Sequence, residues 1–510
     1  MLPLLVAVLV AAFAGCASLP PPDGRTPTSA LADTAGTRLG RALSTEAAAN
    51  PGKTGIHPLA NAHDAFAARA LLAAAADKSL DAQYYIWHGD QVGYLLFEAL
   101  WQAAERGVRV RLLLDDMNTA GLDATLAALD AHPAIEVRLY NPLVQREARL
   151  LGFLTDFQRL NRRMHNKSFI VDNQVAVVGG RNVGDEYFGA GAGVAFADLD
   201  VVAVGTAVRE VSAEFDVFWN SASTYPAAGF VGLAGPEAAA GLRGRFESTR
   251  GDPRSRDYLE ALRTAPFVRE LIEASLKFEW SRTQLVVDDP AKTLAPDPQA
   301  DQLLLTAVLS AMGHPKVSFD LVSPYFVPGS KGTEAIAALA RSGVRVRVLT
   351  NSLSATDVGA VHAGYAKRRH ALLSAGVKLY EIKPTALSEV RPGDRYKGSS
   401  SSSLHAKTFA VDGEKVFVGS FNFDPRSALL NTEMGLVVEN PVLARAVGRM
   451  FDEVVPTGAY EVRLAADGST LQWTERTPQG EIVHDTEPGT TAMRRLGVGI
   501  MSVLPIEWLL

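Results

Sequence analysis

The sequence of 510 residues has a single cysteine, Cys16, so an internal disulfide framework is excluded. It also has no basic excess: 50 Lys and Arg stand against 56 Asp and Glu, and the formal net charge of −6 disfavours a general DNA or RNA binder. Eight of the ten histidines lack the spacing of metal ligands, so no histidine-based metal site is expected. With 47% hydrophobic and 21% charged residues, the composition is that of a globular chain long enough for two domains.

Charge is also missing from residues 2–14, an apolar run that is too short to span a bilayer comfortably. The run ends in Ala14-Gly15-Cys16, which resembles the lipobox of bacterial lipoproteins, where cleavage leaves an acylated cysteine. We therefore predict lipid attachment at Cys16. An uncleaved anchor, a plain leader or a chance apolar start stays open, because Phe13 replaces the usual Leu and no Lys or Arg precedes the run.

The chain contains an internal duplication. The segment ERGVRVRLLLDD at 105–116 matches RSGVRVRVLTNS at 341–352, and three further pairs of helix or strand segments recur in the same order at a similar offset. A His-x-Lys pair recurs as well, at His165 and His405, about 240 residues apart. Strands that alternate with helical patterns predict an α/β fold of two tandem repeats, each a mixed β-sheet flanked by helices.

The duplication divides the chain into segments. Composition rich in Pro, Ala, Thr and Gly indicates a flexible tether before the first repeat, and a hairpin signal turns at Asp467-Gly468 after the second. The predicted segments are a leader over 1–16, a tether over 17–50, the first repeat over 51–232, a bridging segment over 233–300, the second repeat over 301–460, and a C-terminal hairpin with an apolar tail over 461–510.

Each repeat carries the pattern His-x-Lys-x4-Asp followed by Gly-x-x-Asn. Residues two apart on an extended strand point to the same face, so the His and Lys of each motif project together. The following FIVD and FAVD runs predict buried strands, and the glycine is expected to end the next strand in a turn that presents the asparagine. The motif residues are His165, Lys167, Asp172, Gly179 and Asn182 in the first copy, and His405, Lys407, Asp412, Gly419 and Asn422 in the second.

The paired motifs suit phosphodiester chemistry. A neutral imidazole can attack phosphorus, and a second, protonated imidazole can give its proton to the leaving alkoxide. Two ammonium groups and two amide NH2 groups aimed at one phosphate would stabilise its non-bridging oxygens without a metal. Because neither copy alone holds both the nucleophile and the acid, we predict one active site between the halves, at a pseudo-twofold axis.

The motifs resemble the signature HxKx4Dx6GSxN of the phospholipase D superfamily. The second copy matches it fully through Gly419, Ser420 and Asn422, whereas Gly180 replaces the serine in the first copy. The resemblance implies tandem phospholipase D-like domains, a phosphohistidine intermediate at one histidine, acid–base work at the other, and no metal or other cofactor. Most members use the N-terminal histidine as nucleophile, which would be His165; the sequence by itself leaves the choice open.

The resemblance also implies roles around the histidines. The motif aspartates, although part of the catalytic motifs, are largely structural in the family, and an acidic residue further along the chain orients each histidine. The candidates are Asp198 in ADLDVV and Glu433 in NTEMGLVV, with Asp200 a close rival to Asp198. The residues expected to bind the substrate phosphate are Asn182, Ser420 and Asn422.

From about residue 55 to the end, the chain is similar to bacterial cardiolipin synthases, most of all to their C-type branch. The similar segments are QYYIW at 83–87, NRRMHNKSF at 161–169, GGRNVGDEYF at 179–188, SLHAKTF at 403–409, GSFNFDPRS at 419–427 and the ending LPIEWLL. The resemblance implies transfer of a phosphatidyl group to phosphatidylglycerol, with phosphatidylethanolamine as donor. The implied partners are these lipids and a membrane, with no nucleic acid.

Location and reaction outcome stay open at this point. The N-terminal signal and the apolar ending favour a membrane surface in the bacterial cell envelope, as a lipoprotein facing the periplasm, although the ending could equally pack on the core. The alternative functions are a phospholipid hydrolase that releases phosphatidic acid, a nuclease and a non-enzymatic lipoprotein scaffold. The acidic net charge disfavours the nuclease, and the intact motif pairs disfavour the scaffold.

Overall fold

Two large mixed β-sheets, built on one plan, form the framework of the protein. The computed structural model describes residues 25–191, 194–273, 275–294, 303–386, 401–505 and 507–510, together with Leu19 and Gln299. The predicted leader and its lipid-attachment residue Cys16 lie outside the described residues. Among the described residues, none of the helices combines the length and the apolar character that crossing a membrane requires.

The first sheet has nine strands in the order β10-β1-β8-β6-β5-β2-β3-β4-β9. Strands β2, β3 and β4 are parallel to one another, and the remaining pairings are antiparallel. Its strands are β1 (Thr54–Leu59), β2 (Ser79–Ile86), β3 (Arg109–Asn118), β4 (Ile135–Tyr140), β5 (Ser168–Val171), β6 (Val175–Gly179), β8 (Asp200–Gly205), β9 (Thr224–Pro226) and β10 (Glu279–Ser281); β7 (Val194–Ala197) lies outside it.

The second sheet has ten strands in the order β11-β18-β17-β16-β12-β13-β14-β19-β20-β21. Its central run β16-β12-β13-β14 repeats the run β5-β2-β3-β4 of the first sheet, again with three parallel strands. Its strands are β11 (Thr283–Val287), β12 (Ser318–Val322), β13 (Arg345–Asn351), β14 (Lys378–Ile382), β16 (Thr408–Val411), β17 (Lys415–Gly419), β18 (Met434–Val438), β19 (Ala459–Leu464), β20 (Leu471–Thr477) and β21 (Gly480–His484); β15 (Ser401–Leu404) pairs only with β7.

Helices cover both sheets, which confirms the predicted tandem α/β fold. They are α1 (Arg38–Ala49), α2 (Ala62–Ala75), α3 (Gln91–Glu105), α4 (Asp123–Asp130), α5 (Arg149–Thr155), α6 (Phe157–Leu160), α7 (Asp185–Phe188), α8 (Thr206–Trp219), α9 (Ala228–Val231), α10 (Ala238–Gly251), α11 (Pro253–Arg263), α12 (Pro266–Ile272), α13 (Leu304–Met312), α14 (Gly329–Arg341), α15 (Gly359–Ala366), α16 (Arg369–Ser374), α17 (Pro425–Leu429), α18 (Pro441–Glu453), α19 (Val455–Gly458) and α20 (Ala492–Val503), with 3-10 turns at Pro290–Thr293 and Glu507–Leu509.

One hydrophobic core joins the two sheets. It combines side chains of β6 and β8, such as Val178 and Val201, with side chains of β17 and β18, such as Val418 and Leu436. These strands are apolar on both faces, as strands covered on both sides must be, because one face packs on helices and the other on the opposite half. The shared core fixes the ends of both motif-bearing strands relative to each other.

Residues 25–50 contradict the expected flexible tether, which spanned 17–50. The Arg25 guanidinium donates to the carbonyl of Ser221 (2.6 Å), and the amide of Ala30 donates to Asp216 Oδ2 (2.7 Å). Helix α1 then begins at an N-cap, Thr37, whose side chain accepts from the amide of Gly40. The physical reason is that this segment supplies hydrogen bonds to the C-terminal end of α8 and packs apolar side chains on the first repeat.

The bridging segment belongs to both halves. Strand β10 extends the first sheet by pairing with β1, and β11 extends the second sheet by pairing with β18. The helices α10 and α12 pack on helices of the first repeat. The chain therefore crosses between the two sheets at Arg282, between two strands that are almost continuous.

Candidate active site

Each motif histidine lies just before a central strand, and its backbone is bonded to the opposite half. The amide of His165 donates to the carbonyl of Thr432 (2.8 Å), and the amide of Thr432 donates to the carbonyl of Arg163 (2.9 Å). In the symmetry-related place, the amide of His405 donates to the carbonyl of Ala197 (2.7 Å). The parallel pair β7 and β15 continues this second connection. Backbone hydrogen bonds between the halves thus fix the positions of both imidazoles.

The carboxylates that are predicted to orient the histidines are exchanged between the halves. Nδ1 of His165 lies 2.8 Å from Oε2 of Glu433, a residue of the second repeat. Nδ1 of His405 lies 2.5 Å from Oδ2 of Asp198, a residue of the first repeat. These His and carboxylate residues are all buried, and as whole residues their exposed fractions are 7% or less. Because Nδ1 is engaged in both rings, Nε2 is the nitrogen left for chemistry.

Asp200, the rival to Asp198, has a different position. Its Oδ2 accepts from the guanidinium of Arg69 (2.9 Å) and lies 3.4 Å from that of Arg181, and all three side chains are fully buried. A buried carboxylate shared by two guanidinium groups is satisfied within the first repeat. The structure therefore brings Asp198, and not Asp200, to a motif histidine.

The two motif lysines are buried beside the histidines. Nζ of Lys167 donates to the carbonyl of His165 (2.6 Å), and Nζ of Lys407 lies 3.2 Å from Nε2 of His405. Burial lowers the pKa of Lys167 to about 7 and the pKa of Lys407 to about 8. A site that crowds two ammonium groups in a low-dielectric interior is prepared for an anion, which would restore both pKa values.

The two histidine–carboxylate pairs differ in charge. Burial raises the pKa of Glu433 to about 7, and Lys167 offsets this only in part. Burial acts in the same direction on Asp198, but the charges of His405 and Lys407 outweigh it and hold the pKa of this carboxyl below its usual range. Burial and then Lys167 lower the pKa of His165 well below its ordinary value, whereas burial and Lys407 lower that of His405 against the opposing charge of Asp198.

The family model described as "Cardiolipin synthase, PLD-like domain" matches residues 69–219 and 308–455, more than half of the chain, and each match contains one complete His-Lys motif. The chain belongs to this phospholipase D-like cardiolipin synthase family. The predicted family is thereby confirmed, and it is a family of enzymes.

Relatives of known name agree with this family. Cardiolipin synthase C of Escherichia coli (strain K12) is 47% identical over 477 residues, which cover 93% of this chain and 100% of that protein. The major cardiolipin synthase of Bacillus subtilis (strain 168) is 26% identical over 372 residues, 73% of this chain and 62% of that protein. Among solved structures, a phosphatidylserine synthase of Haemophilus influenzae Rd KW20 has a TM-score of 0.56 at 12% identity, covering 93% of this chain and 100% of that chain, and so shares the fold.

The hydroxyl of Ser420, which is predicted to bind the substrate phosphate, contacts a carboxylate in this structure. Its hydroxyl donates to Oε2 of Glu433 (2.5 Å) and accepts from the amide of Met434 (3.0 Å). The hydroxyl therefore positions the carboxylate that orients His165. In the first copy, a Cβ on Gly180 would lie 2.2 Å from Oδ1 of Asp198, so the shorter carboxylate occupies the space where a serine side chain would begin.

The two motif asparagines are buried at the site in unequal ways. Oδ1 of Asn182 accepts from the amide of Ile86 (3.1 Å), and its Nδ2 donates to the hydroxyl of Tyr187 (3.0 Å). Oδ1 of Asn422 has no hydrogen-bond partner although it is buried. Tyr187 also packs edge-on against His405, with ring centroids 5.1 Å apart. The carbonyl oxygens of the two side-chain amides are therefore held differently, that of Asn182 by a backbone amide.

Asp172 and Asp412, grouped above with the catalytic motif residues, lie at the far end of their strands. Asp172 is seven residues from His165, roughly 20 Å of extended chain. Its carboxylate accepts the backbone amides of Asp77, Lys78 and Ser79, and Asp412 accepts those of Lys316, Val317 and Ser318 in the same way. Both have positive φ values, near 52° and 55°, which Asp tolerates in a tight turn. The structure gives both a structural place, away from the reacting groups.

Sequence reasoning missed two buried residues of the bridging segment. Nζ of Lys292 donates to Oδ2 of Asp288 (2.9 Å) and to the carbonyl of Ser427 (2.9 Å). The same Asp288 oxygen accepts the amide of Glu433 (2.8 Å), and the amide of Asp288 donates to the carbonyl of Glu433 (3.0 Å). This pair fixes the backbone of the orienting carboxylate. The available signal in the sequence was an aspartate directly after an apolar run, which by itself predicts only the end of a strand.

A second polar cluster lies beside the site. Among the described residues, ligand atoms of His88, Asp90 and Glu186 lie within 4.8 Å of one another. The Asp90 oxygens already accept the amides of Gly93 (2.9 Å) and Asp185 (2.7 Å), so this carboxylate joins the start of α3 to the start of α7. We therefore assign the cluster a structural role at the start of these two helices.

Proposed function

We propose that the protein is a phosphatidyltransferase that forms cardiolipin from phosphatidylglycerol and a second phospholipid, phosphatidylethanolamine, through a phosphohistidine. The observation that carries the proposal is the pair of imidazoles from opposite halves, each bonded through Nδ1 to a carboxylate of the other half. Membership of the cardiolipin synthase family supports a phospholipid substrate.

In this mechanism His165 is the nucleophile and His405 the general acid. The weakly charged pair of His165 and Glu433 favours a neutral imidazole, whose Nε2 lone pair attacks phosphorus. Because the ionised Asp198 opposes the lowering of its pKa, His405 is the more readily protonated of the two imidazoles, and its imidazolium gives its proton to the oxygen of the departing head group. The hydroxyl of phosphatidylglycerol then gives its proton to Nε2 of His405 and attacks the phosphorus, which releases His165 and completes the transfer.

Stabilisation of the phosphate falls to the two lysines and the asparagine amides. Lys167 and Lys407 supply positive charge within a buried site, where charge–charge interactions are stronger than in water. We assign phosphate binding to Asn182 and Asn422, and we place Ser420 with Glu433 because its hydroxyl hydrogen is already donated. Asp198 and Glu433 act through the histidines that they orient.

Transfer and hydrolysis differ in the acceptor of the phosphatidyl group. The motif histidines have exposed fractions of only 7%, so bulk water has restricted access to the phosphorus centre, which favours transfer to a bound hydroxyl. The test is to supply the purified full chain with vesicles of phosphatidylglycerol alone, phosphatidylethanolamine alone, or both, and to resolve the lipid products. We expect cardiolipin chiefly from the mixture; phosphatidic acid as the sole product would assign hydrolysis instead.

The pH dependence of kcat/KM should be bell-shaped. The pKa of His165 is lowered, so its neutral form persists and the acid limb should lie below about pH 6.5, the unperturbed value. On the basic side, His405 loses the proton that it must donate, from a pKa that is also lowered, and Lys167 and Lys407, with pKa values lowered to about 7 and about 8, then lose their charge, so the fall in rate should steepen through these values. Each lost proton should reduce kcat/KM by up to about tenfold per pH unit.

The check is a pH profile of initial rates for the unmodified chain and for Lys407→Arg. Arginine stays protonated over this range, so the fall in the rate of the variant above about pH 8 should be shallower even if its maximal rate is lower. A fall that is equally steep in both proteins would contradict the contribution of Lys407 to the basic limb.

We also propose a place at the cell envelope membrane, where its lipid substrates are found. Lipid attachment at Cys16 and a periplasmic orientation stay predictions. Cys16→Ser should abolish incorporation of labelled fatty acid into the chain, and persistent labelling of the variant would contradict the lipobox interpretation.

A further inference from the structure

Helix α20 turns an apolar face to solvent. Met493, Leu496, Ile500 and Val503 follow one another at intervals of three or four residues, so they lie on one side of the helix, and their exposed fractions are 56–80%. The other side packs on the second repeat through Val498, which is 6% exposed and clusters with Leu353 and Ala363. The helix is thus held in place by one face while the more apolar face has no cover among the described residues.

The apolar face continues beyond the helix and reaches the other half of the protein. Trp508, in the turn Glu507–Leu509, is 56% exposed, and its ring lies 6.5 Å from that of Phe157 in α6. Leu151 and Leu154 of the adjoining α5 are 48% and 82% exposed. We call the exposed residues of α5, α6, α20 and the Trp508 turn the apolar rim. Exposed apolar side chains gathered from separate elements, with Phe157 and Trp508 in contact, indicate an interaction site.

The apolar rim lies beside the approach to the active site. The guanidinium of Arg426 donates to the carbonyl of Leu509 (2.8 Å), and its amide donates to the carbonyl of Leu510 (2.7 Å). Arg426 stands four residues after Asn422, the phosphate ligand proposed for the second motif. On the other side, α6 ends at Leu160, five residues before His165.

The charges at the rim are basic. Helix α20 carries Arg494 and Arg495, and residues 492–503 include no acidic residue. Glu507 at the end of the helix is neutralised by contacts with Lys367 and Arg368. Both arginines lie on the side of Val498, away from the apolar face, and they donate to the carbonyls of Thr356 and Thr490. A helix with an apolar face on one side and arginines on the other, followed by a tryptophan, has the composition of a segment that lies in the interface of a bilayer with anionic lipid.

We propose that the apolar rim docks the protein on the surface of a phospholipid bilayer that contains anionic lipid, and holds the active-site approach against the membrane. This inference rests on the proposed function in one respect, namely that the substrates are lipids of that bilayer. The rim side chains enter the interface without a membrane-spanning helix, and the arginines stay at the level of the phosphates. A second copy of the chain is the competing occupant.

The chain has one cysteine, which makes a local test possible. In full-length protein with Cys16→Ser, Val503→Cys would carry an environment-sensitive fluorophore at the rim. The matched control is Val317→Cys, because Val317 is also an exposed valine (66% against 80%) and its amide binds Asp412 at the end of the sheet remote from the motifs. On addition of vesicles of phosphatidylglycerol and phosphatidylethanolamine, the fluorophore at position 503 should shift to the blue and be protected from an aqueous quencher, and the one at 317 should not change.

A water-exposed fluorophore at position 503 on vesicle-bound protein would overturn the proposal. So would a shift that depends on protein concentration without vesicles, since that outcome assigns the rim to contact between copies. A second variant, Leu496→Asp with Ile500→Asp, should lower turnover of vesicle lipids by about tenfold or more while turnover of monomeric short-chain phospholipids is kept. If the unmodified chain turned over neither form of lipid, the proposed function would fail, and the fluorescence result would still decide the docking.

Discussion

His165→Ala and His405→Ala should each reduce cardiolipin formation by at least about a thousandfold, because one removes the proposed nucleophile and the other the proposed proton donor. The two variants should differ in what they leave behind. With labelled donor lipid and a basic quench, which preserves a phosphorus–nitrogen bond, His165→Ala should trap no label. His405→Ala should trap label slowly, because attack persists when protonation of the leaving group is lost.

The chain offers a matched control for these variants. His362 is a buried histidine whose Nε2 lies 2.9 Å from Oε1 of Glu487, the same type of pair, in α15 outside the motifs. His362→Gln should keep near-normal turnover per folded molecule. Near-normal turnover by either motif variant would contradict the two-histidine mechanism, and labelled His405→Ala combined with unlabelled His165→Ala would support His165 as the covalent site.

Asp172→Ala should destabilise the fold by about 3–5 kcal/mol, because it leaves three backbone amides, one buried and two partly buried, without an acceptor. Asp172 has an exposed fraction of 0%, whereas Asp412 is half-buried and two of its three partner amides are exposed to solvent. Water can therefore replace the lost acceptor more readily around Asp412 than around Asp172. Asp412→Ala should therefore cost less, about 1–2 kcal/mol, although the two residues occupy the same place in the motif.

The measurement is the free energy of unfolding from denaturant titration, together with turnover per folded molecule. Each variant should keep turnover close to that of the unmodified chain under conditions where it is folded. A variant of Asp172 that kept full stability but lost turnover would indicate a catalytic role. That outcome would contradict the structural role inferred from its three backbone contacts.

The sequence predicted the reacting side chains because their geometry is local. His and Lys two residues apart share a face of any extended strand, and the duplication predicts that both pairs face one site. The assignment of each carboxylate could not be made in the same way. Which histidine Asp198 or Glu433 contacts depends on how the backbone before each motif pairs with the opposite half, and no periodicity in the chain encodes that pairing.

Other differences have equally specific causes. The resemblance to the family predicts Ser420 as a phosphate ligand, and the pattern of the motif could not show that its hydroxyl donates to the carboxylate of Glu433. The helix at 38–49 was missed because a composition rich in Pro, Ala, Thr and Gly indicates a tether. Thr37 as an N-cap, followed by Leu39 and Leu43 on one face, was the signal that could have found it.

The crossed carboxylates have a consequence for how such a chain can change over time. A substitution that alters the side-chain length at Glu433 alters the contact with the histidine of the other repeat. Compensating substitutions must therefore arise in the other copy and not in the same one. In a single repeat the motif histidine would have no carboxylate at its Nδ1. Such a repeat would form a complete site only by pairing with an identical copy. Fusion of two such repeats into one chain makes that pairing permanent, and it then allows the two halves of the one site to diverge, as the unlike pairs Gly180 with Asp198 and Ser420 with Glu433 show.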